Sequence, residues 1–310
     1  MQGKNILCLL DFDESDFKLF LNRAADLKKE FKAGKKNNTL SGKTLGLLFD
    51  KPSTRTRISF ESAMIQLGGV PIFISSADTQ ISRAEPVADT MRVLNKYIDA
   101  LAVRTSSQEI IAEFAKYADI PVINALTDLY HPCQVLSDIM TVIEKKGSCN
   151  GLKIAWVGDG NNVANSWINA AASLDFELYL GCPEQHFPNS EILEKALSVR
   201  KKHNKKENVF VTKDPFEAVQ HADVIYTDVW VSMGMEGEGE KRKKTFADFQ
   251  VNSKLVSCAK KDVTVMHCLP AHRGEEITGN VLEGRHSVVW EQAENKMHMH
   301  KAVLDILIGR

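Results

Sequence analysis

No apolar run in this 310-residue chain reaches the ~18 residues that a membrane-spanning helix needs, so the sequence predicts no such helix. Nor is there a Cys-x-x-Cys pair among the six cysteines, Cys8, Cys133, Cys149, Cys182, Cys258 and Cys268. Scattered thiols in a chain this long point to a reduced, cytosolic setting. Net charge is nearly absent: 39 basic against 40 acidic side chains leave −1. That excludes a global field for nucleic acid or an anionic membrane surface. The N-terminus shows neither a secretory apolar segment nor an Arg/Ser-rich transit segment, which sets the expectation of a cytoplasmic protein. No repeat of solenoid length is visible. Two basic runs exist, Arg200 to Lys206 and Lys241 to Lys244. Each adjoins acidic residues, so both read as solvated faces.

What is present is an ordinary globular composition, 44% hydrophobic and 25% charged, with length for about two domains. Strand and helix patterns alternate throughout. Residues 44–49 read as a strand. A helix follows, with Phe60, Ala63, Met64 and Leu67 at helical spacing and Gly68-Gly69 to stop it. Strands are predicted at 70–76, 99–103 and 121–126, with helices over 85–97, 108–118 and from Pro132. The segment 145–151 reads as a boundary. Beyond it, strands at 153–157, 176–180, 209–212, 224–226 and 263–266 alternate with helices. A Gly- and charge-rich loop is expected over 231–244, and a last helix over 293–308. This pattern predicts an α/β fold of two lobes, each a mostly parallel sheet flanked by helices, the C-terminal helix returning to the first lobe. The predicted boundaries are 1–146 plus 291–310 for the first domain and 147–290 for the second.

In such sheets ligands bind beyond the carboxyl ends of strands, and chemistry-bearing residues gather there. Ser53-Thr54-Arg55-Thr56-Arg57 follows the first strand and opens a helix. The first amides of a helix lack intrahelical partners and the positive end of its dipole points outward, so hydroxyls and a guanidinium there make an anion site. Alone, the stretch reads equally as a helix cap with surface arginines. Arg104 closes the third strand. His131 and Gln134 share a face at i and i+3. They converge with Ser53–Arg55 on one crevice if strands one, three and four are neighbours. Two arginines and a helix N-terminus suit a dianion; a His and an amide suit a carbonyl oxygen that gains charge.

In the second half, Gly158-Asp159-Gly160-Asn161-Asn162-Val163 begins like a dinucleotide fingerprint, but Val163 replaces the third glycine. A nicotinamide dehydrogenase is a rival reading. It leaves 53–57 and 131–134 without a role. The alternative use is Asn161 or Asn162 as a polar reader of a small ligand. Asp228 ends a strand and can hold an ammonium group. His267-Cys268-Leu269-Pro270 ends another; its spacing is wrong for structural zinc, and no second Cys/His pair accompanies it.

Ser53–Arg57, Arg104, His131-Pro-Cys-Gln134, Asp228-x-Trp-x-Ser-Met-Gly234 and His267-Cys-Leu-Pro270 occur in the order and spacing of the carbamoyltransferases. Over essentially its whole length the chain resembles the ornithine carbamoyltransferases. The resemblance implies that Ser53, Thr54, Arg55, Thr56, Arg104, His131 and Gln134 hold carbamoyl phosphate, in the first domain. It implies that Gln80 reaches the carbamoyl phosphate of a neighbouring subunit. It puts L-ornithine on Asn162, Asp228, Ser232 and Met233 of the second domain, with Cys268 and Leu269 at the reacting centre, in contact with carbamoyl phosphate too. Arg55, Arg104, His131, Asp228 and Cys268 are the implied catalytic set. A homotrimer with shared sites is implied, with no metal or organic cofactor and no nucleic-acid or membrane partner. The implied product is citrulline, in arginine biosynthesis. Other carbamoyl acceptors, namely aspartate, putrescine or an acylated ornithine, are the alternatives, and a catalytically silent homologue is a third. One position departs. The family has arginine where this chain has Lys296, which keeps the charge but loses the planar fork.

Overall fold

The structure, a computed structural model, describes residues 1–75, 85–231 and 236–309. The chain forms two compact units: Met1–Met140 with Asn295–Arg310, and Thr141–Glu294.

The first unit contains β1 (Thr44–Phe49), β2 (Val70–Ser75), β3 (Ala100–Arg104) and β4 (Val122–Leu126), with α1 (Glu14–Lys32), α2 (Thr54–Gln66), α3 (Val87–Leu94), α4 (Gln108–Tyr117) and most of α5 (Pro132–Lys146). The sheet is parallel, in the order β2-β1-β3-β4. Its inner strands are apolar along their length because helices cover both faces, which gives continuous runs instead of alternation. Every residue of β3 is buried, as are five of the six in β1. Leu48, Leu101, Val103, Ile111, Phe114 and Val122 form one core cluster here.

The second unit holds β5 (Lys153–Val157), β6 (Glu177–Gly181), β7 (Val209–Thr212), β8 (Val224–Thr227) and β9 (Thr264–His267). With them are α6 (Asn162–Ser173), α7 (Ser190–Lys202), α8 (Pro215–Val219), α9 (Gly239–Phe246), α10 (Ser253–Val256) and α11 (Gly279–Leu282). All strands are parallel, in the order β7-β6-β5-β8-β9. The last helix, α12 (Val289–Ile308), starts in this unit and enters the first at Asn295. There Arg23 pairs with Asp305 at 2.6 Å and Lys28 Nζ donates to Asn295 Oδ1 at 2.6 Å. Among the described residues no helix is long and apolar enough to cross a membrane.

In each sheet the chain steps to one side of a strand and then to the other. The order reverses between β1 and β3 in the first sheet, and between β5 and β8 in the second. Such switch points leave a crevice outside the strand ends, where ligands bind in open α/β sheets.

Three expectations need correction. The loop expected over 231–244 contains α9, which buries only Arg242 and Phe246 and so carries no apolar stripe. The last helix begins at Val289 rather than 293. The two basic runs are not uniformly solvated: Arg200 and Arg242 are both buried. Arg200 donates from Nη1 to the Ala171 and Leu174 carbonyls at 3.0 and 3.1 Å, closing the C-terminus of α6.

Candidate active site

The switch point of the first sheet gathers a cationic, hydroxyl-rich cluster. Ser53 caps α2 from extended backbone, and its hydroxyl accepts from the Thr56 amide at 3.3 Å. Thr54 and Arg55 are exposed in the first turn, beside amides that have no helical acceptor. Arg57 is set apart from Arg55. Its guanidinium lies 3.6 Å from the Phe73 ring centroid and pairs with Glu61 at 2.8 Å.

Arg104 ends β3 next door. It is 5% exposed, and among the described residues its Nε has no hydrogen-bond partner. Burial lowers its guanidinium pKa to about 10; Asp50 opposes the shift and Arg55 adds to it. A buried guanidinium with an unspent donor is arranged to meet an anion. His131 and Gln134 are buried at the start of α5. Burial first, then Lys296 and Arg104, holds the His131 imidazole well below its usual pKa, so the ring is neutral at pH 7.

Lys296 joins this cluster from α12. It is 7% exposed; Nζ donates to Gln134 Oε1 at 2.9 Å and to Thr56 Oγ1 at 3.3 Å. Gln134 in turn donates from Nε2 to Asp138 at 2.8 Å, which fixes its amide with the oxygen toward Lys296. Hydrogen bonds link Ser53, Thr56, Lys296 and Gln134, and electrostatic coupling ties His131 to Lys296 and Arg104, all within one unit. Gln80 lies outside the described residues.

The second sheet's switch point carries a different chemistry. Asn161 caps α6, its Oδ1 accepting from the Val163 and Ala164 amides at 3.0 and 3.2 Å. Its Nδ2 donates to Asp228 Oδ2 at 2.8 Å. The other Asp228 oxygen accepts from Cys268 Sγ at 2.9 Å and from the Val229 amide at 2.8 Å. So the end of β8, the end of β9 and the β5–α6 turn meet on one carboxylate. Asn162 is the first residue of α6. Ser232 and Met233 lie outside the described residues.

His267 holds the loop that presents Cys268 and Leu269. Its Nδ1 accepts from the Leu269 amide at 2.9 Å, and Nε2 lies 3.0 Å from Glu276 Oε1, so Nε2 carries the proton. Donor atoms of Asp228, His267 and Cys268 lie within 4.8 Å of one another, but both nitrogens of His267 are already engaged.

Sequence reasoning left out two contributors. Asn161, which it offers beside Asn162 as a polar reader of a small ligand, touches Asp228. Asp159 and Arg242 were not singled out. Arg242 Nη2 meets Asp159 Oδ2 at 2.5 Å and Nε meets the Trp230 carbonyl at 2.5 Å. Burial raises Asp159 to about 6, Arg242 opposing and Asp228 adding. The signal available for Asp159 was its place in a Gly-Asp-Gly turn; the turn is tight because a side chain on Gly160 would strike the Phe187–Pro188 backbone.

Two sequence models describe halves of the chain. That of the aspartate/ornithine carbamoyltransferase carbamoyl-P binding domain matches residues 4–144, and that of the Asp/Orn binding domain of the same proteins matches 150–307. The chain belongs to the aspartate/ornithine carbamoyltransferase family. Within this family it is 55% identical over 305 residues to an ornithine carbamoyltransferase of Syntrophus aciditrophicus (strain SB), covering 98% of this chain and 99% of the relative. The structure of the ornithine carbamoyltransferase from Pyrococcus furiosus superposes with a TM-score of 0.95 at 46% identity, covering 99% of this chain and 97% of that one. The anabolic ornithine carbamoyltransferase from Campylobacter jejuni gives 0.91 at 41%, covering 98% of both. In the terms of the family, the cluster residues from Ser53 to Gln134 fall in the half matched as carbamoyl-P binding, and Lys296 in the half matched as Asp/Orn binding. The Asp228–Cys268 pair falls in the half matched as Asp/Orn binding.

Proposed function

We propose that the chain transfers the carbamoyl group of carbamoyl phosphate to the side-chain amine of L-ornithine, giving L-citrulline and phosphate. The carrying observation is the division of chemistry: a cationic helix-terminus site in the carbamoyl-P half, and a carboxylate–thiol pair in the other.

Carbamoyl phosphate offers an electrophilic carbonyl and a phosphate leaving group. The phosphate oxygens take the α2 amides, Ser53, Thr54, Thr56, Arg55 and Arg104 as donors. A neutral His131 donates a hydrogen bond to the carbonyl oxygen, joined by Gln134 and Lys296. Charge grows on that oxygen as the amine adds, and donors already in place stabilise it without reorganising. The C–O bond to phosphate then breaks and the electron pair leaves on phosphate.

The acceptor amine resembles lysine, with a pKa of ~10.4, and is almost wholly protonated at neutral pH. Asp228 attracts the ammonium form and, with Cys268, orients it and takes up its proton. Asn161 steadies Asp228 in that work. Leu269 follows Cys268 at the reacting centre, and Asn162, Ser232 and Met233 complete the ornithine site. The first unit is then the carbamoyl-phosphate domain and the second the ornithine domain.

A cytoplasmic homotrimer with shared sites is part of the same proposal. Its support is β2, an edge strand whose Val70, Ile72 and Phe73 are exposed close to Ile58 and Ile65 of α2, also exposed. An apolar open edge of this kind calls for a partner. Gln80 follows β2 in the chain and reaches the neighbouring carbamoyl phosphate. The forward direction, toward citrulline for arginine synthesis, is the assigned role.

The test is citrulline formation from carbamoyl phosphate and L-ornithine, run beside aspartate, putrescine and N-acetylornithine. Turnover with ornithine at least about 100-fold above the others supports the assignment. Preference for another amine overturns it.

A further inference from the structure

The phosphate-site helix is held from α12 by a second side chain besides Lys296. His300 is four residues further on, hence on the same face of α12. Its ring stacks on Phe60 of α2, centroids 3.6 Å apart and planes 11° from parallel. His300 Nδ1 is 2.9 Å from Ser59 Oγ. Ser59 Oγ is also 3.0 Å from the Thr56 carbonyl.

The bond to Thr56 assigns the tautomer. Ser59 Oγ donates its single hydroxyl hydrogen to the Thr56 carbonyl. Ser59 is then only an acceptor toward the ring, and His300 Nδ1 carries a proton. The ring stays neutral, because burial, with Lys296 second, holds its pKa well below the usual value. Its Nε2 is therefore an acceptor, buried without a hydrogen-bond partner among the described residues.

Thr56 is thus gripped at three points. Its amide binds Ser53 Oγ, its hydroxyl binds Lys296, and its carbonyl binds Ser59. We propose that His300 is a positioning residue for the carbamoyl phosphate site: as a neutral ring protonated on Nδ1, it fixes Ser59 and, through the Thr56 carbonyl, the first turn of α2. This rests on the reading of α2 as the phosphate-binding helix. The residue touches no substrate. It acts by keeping the α2 amides and Thr56 where the phosphate needs them, and small misplacements of such groups are costly.

The test compares Ser59→Ala, His300→Phe and His300→Asn in steady-state kinetics. Phenylalanine keeps the stack and loses the donor. Asparagine loses the stack but puts an amide N–H close to the place of Nδ1. Ser59→Ala and His300→Phe are each expected to raise KM for carbamoyl phosphate about five- to tenfold, the worth of one linking hydrogen bond. KM for ornithine stays within about twofold, and the Ser59→Ala/His300→Phe double variant is no worse than either alone, since both cut one link. His300→Asn returns KM for carbamoyl phosphate to within about twofold of the parent. Nitrogen-15 NMR of the parent is expected to show a neutral ring at His300 with the proton on Nδ1 at pH 7.

An unchanged KM for carbamoyl phosphate in Ser59→Ala, or a ring protonated on Nε2 alone, overturns the proposal. Ser59→Ala removes a single oxygen, so it carries the test if His300→Phe does not fold. Arg55→Ala is assayed in parallel. If it raises KM for carbamoyl phosphate while Ser59→Ala does not, only the role of His300 falls. If Arg55→Ala leaves it unchanged, the reading of α2 falls with it.

Discussion

Lys296→Met tests the buried lysine that reaches Gln134 and Thr56 from α12. The substitution keeps most of the side chain's length and removes the ammonium. The hydrogen bonds to Gln134 at 2.9 Å and Thr56 at 3.3 Å are lost. Bonds from a charged donor are worth about 1.5–3 kcal/mol each, so about 3–6 kcal/mol goes. Against this, the native fold no longer buries an ammonium, and relief of that desolvation returns several kcal/mol. The two terms nearly cancel, so denaturant stability is expected to move by no more than about 2 kcal/mol. Activity has no such compensation. Loss of one positioned donor to developing charge costs about 2.7–4 kcal/mol, a fall of about 10²–10³ in kcat. Lys296 is also the second cause of the depressed His131 pKa, so its removal lets that pKa rise. The acid limb of the pH–rate profile therefore moves to higher pH in Lys296→Met. The assay is citrulline formation from pH 6 to 9 on variants shown to be folded, with Lys296→Arg as the charge-keeping control. A folded Lys296→Met with kcat/KM for carbamoyl phosphate within about threefold of the parent refutes the placement of Lys296 in the site.

Three further outcomes are expected. Arg242→Met strands Asp159 in a buried pair with side chains 7% and 14% exposed, and should cost about 3–5 kcal/mol in urea unfolding. Arg242→Met/Asp159→Asn should recover most of that loss, and equal instability of single and double variants would show that the pair is not the cause. Stability should fall with acid. His131 and His300 are buried neutral with folded pKa values below the unfolded ~6.5, so their contribution is complete above that pH and declines below it. Each then contributes a slope of up to about 1.4 kcal/mol per pH unit below pH 6.5, and His300→Asn should flatten the pH dependence of Tm there. Cys268→Ala removes the 2.9 Å donor to Asp228. It should raise KM for ornithine about five- to tenfold while KM for carbamoyl phosphate holds, and a change confined to carbamoyl phosphate would count against the assigned pairing.

The fold was legible where burial produces a periodic or continuous apolar pattern. β1, β3 and β5 read as strands because both faces are covered, and α2 read as a helix through Phe60, Ala63 and Met64. α9 did not, because it buries one arginine and one phenylalanine within a charged run, and hydropathy cannot mark a buried arginine. The same blindness assigned Arg200 and Arg242 to solvent. An arginine in a basic run differs from its neighbours only through the carbonyls and carboxylates that the fold brings to it, here Ala171 and Leu174 for one, Trp230 and Asp159 for the other.

By itself the sequence determined the α/β class, the capped helix that opens after the first strand, and the motifs that the family shares. Those are local properties: cap residues, apolar runs and residues a few positions apart report directly on one strand or one helix. Tertiary structure alone decided which distant residues act together. Lys296 meets Thr56 and Gln134, His300 meets Ser59, and Asn161 meets Asp228. None of these pairings follows from spacing: the contacts of Lys296 and His300 depend on α12 returning against α2, and that of Asn161 on β5 lying beside β8. Protonation was decided there too. A histidine in a sequence titrates near 6.5, and only burial beside Lys296 makes His131 and His300 neutral rings.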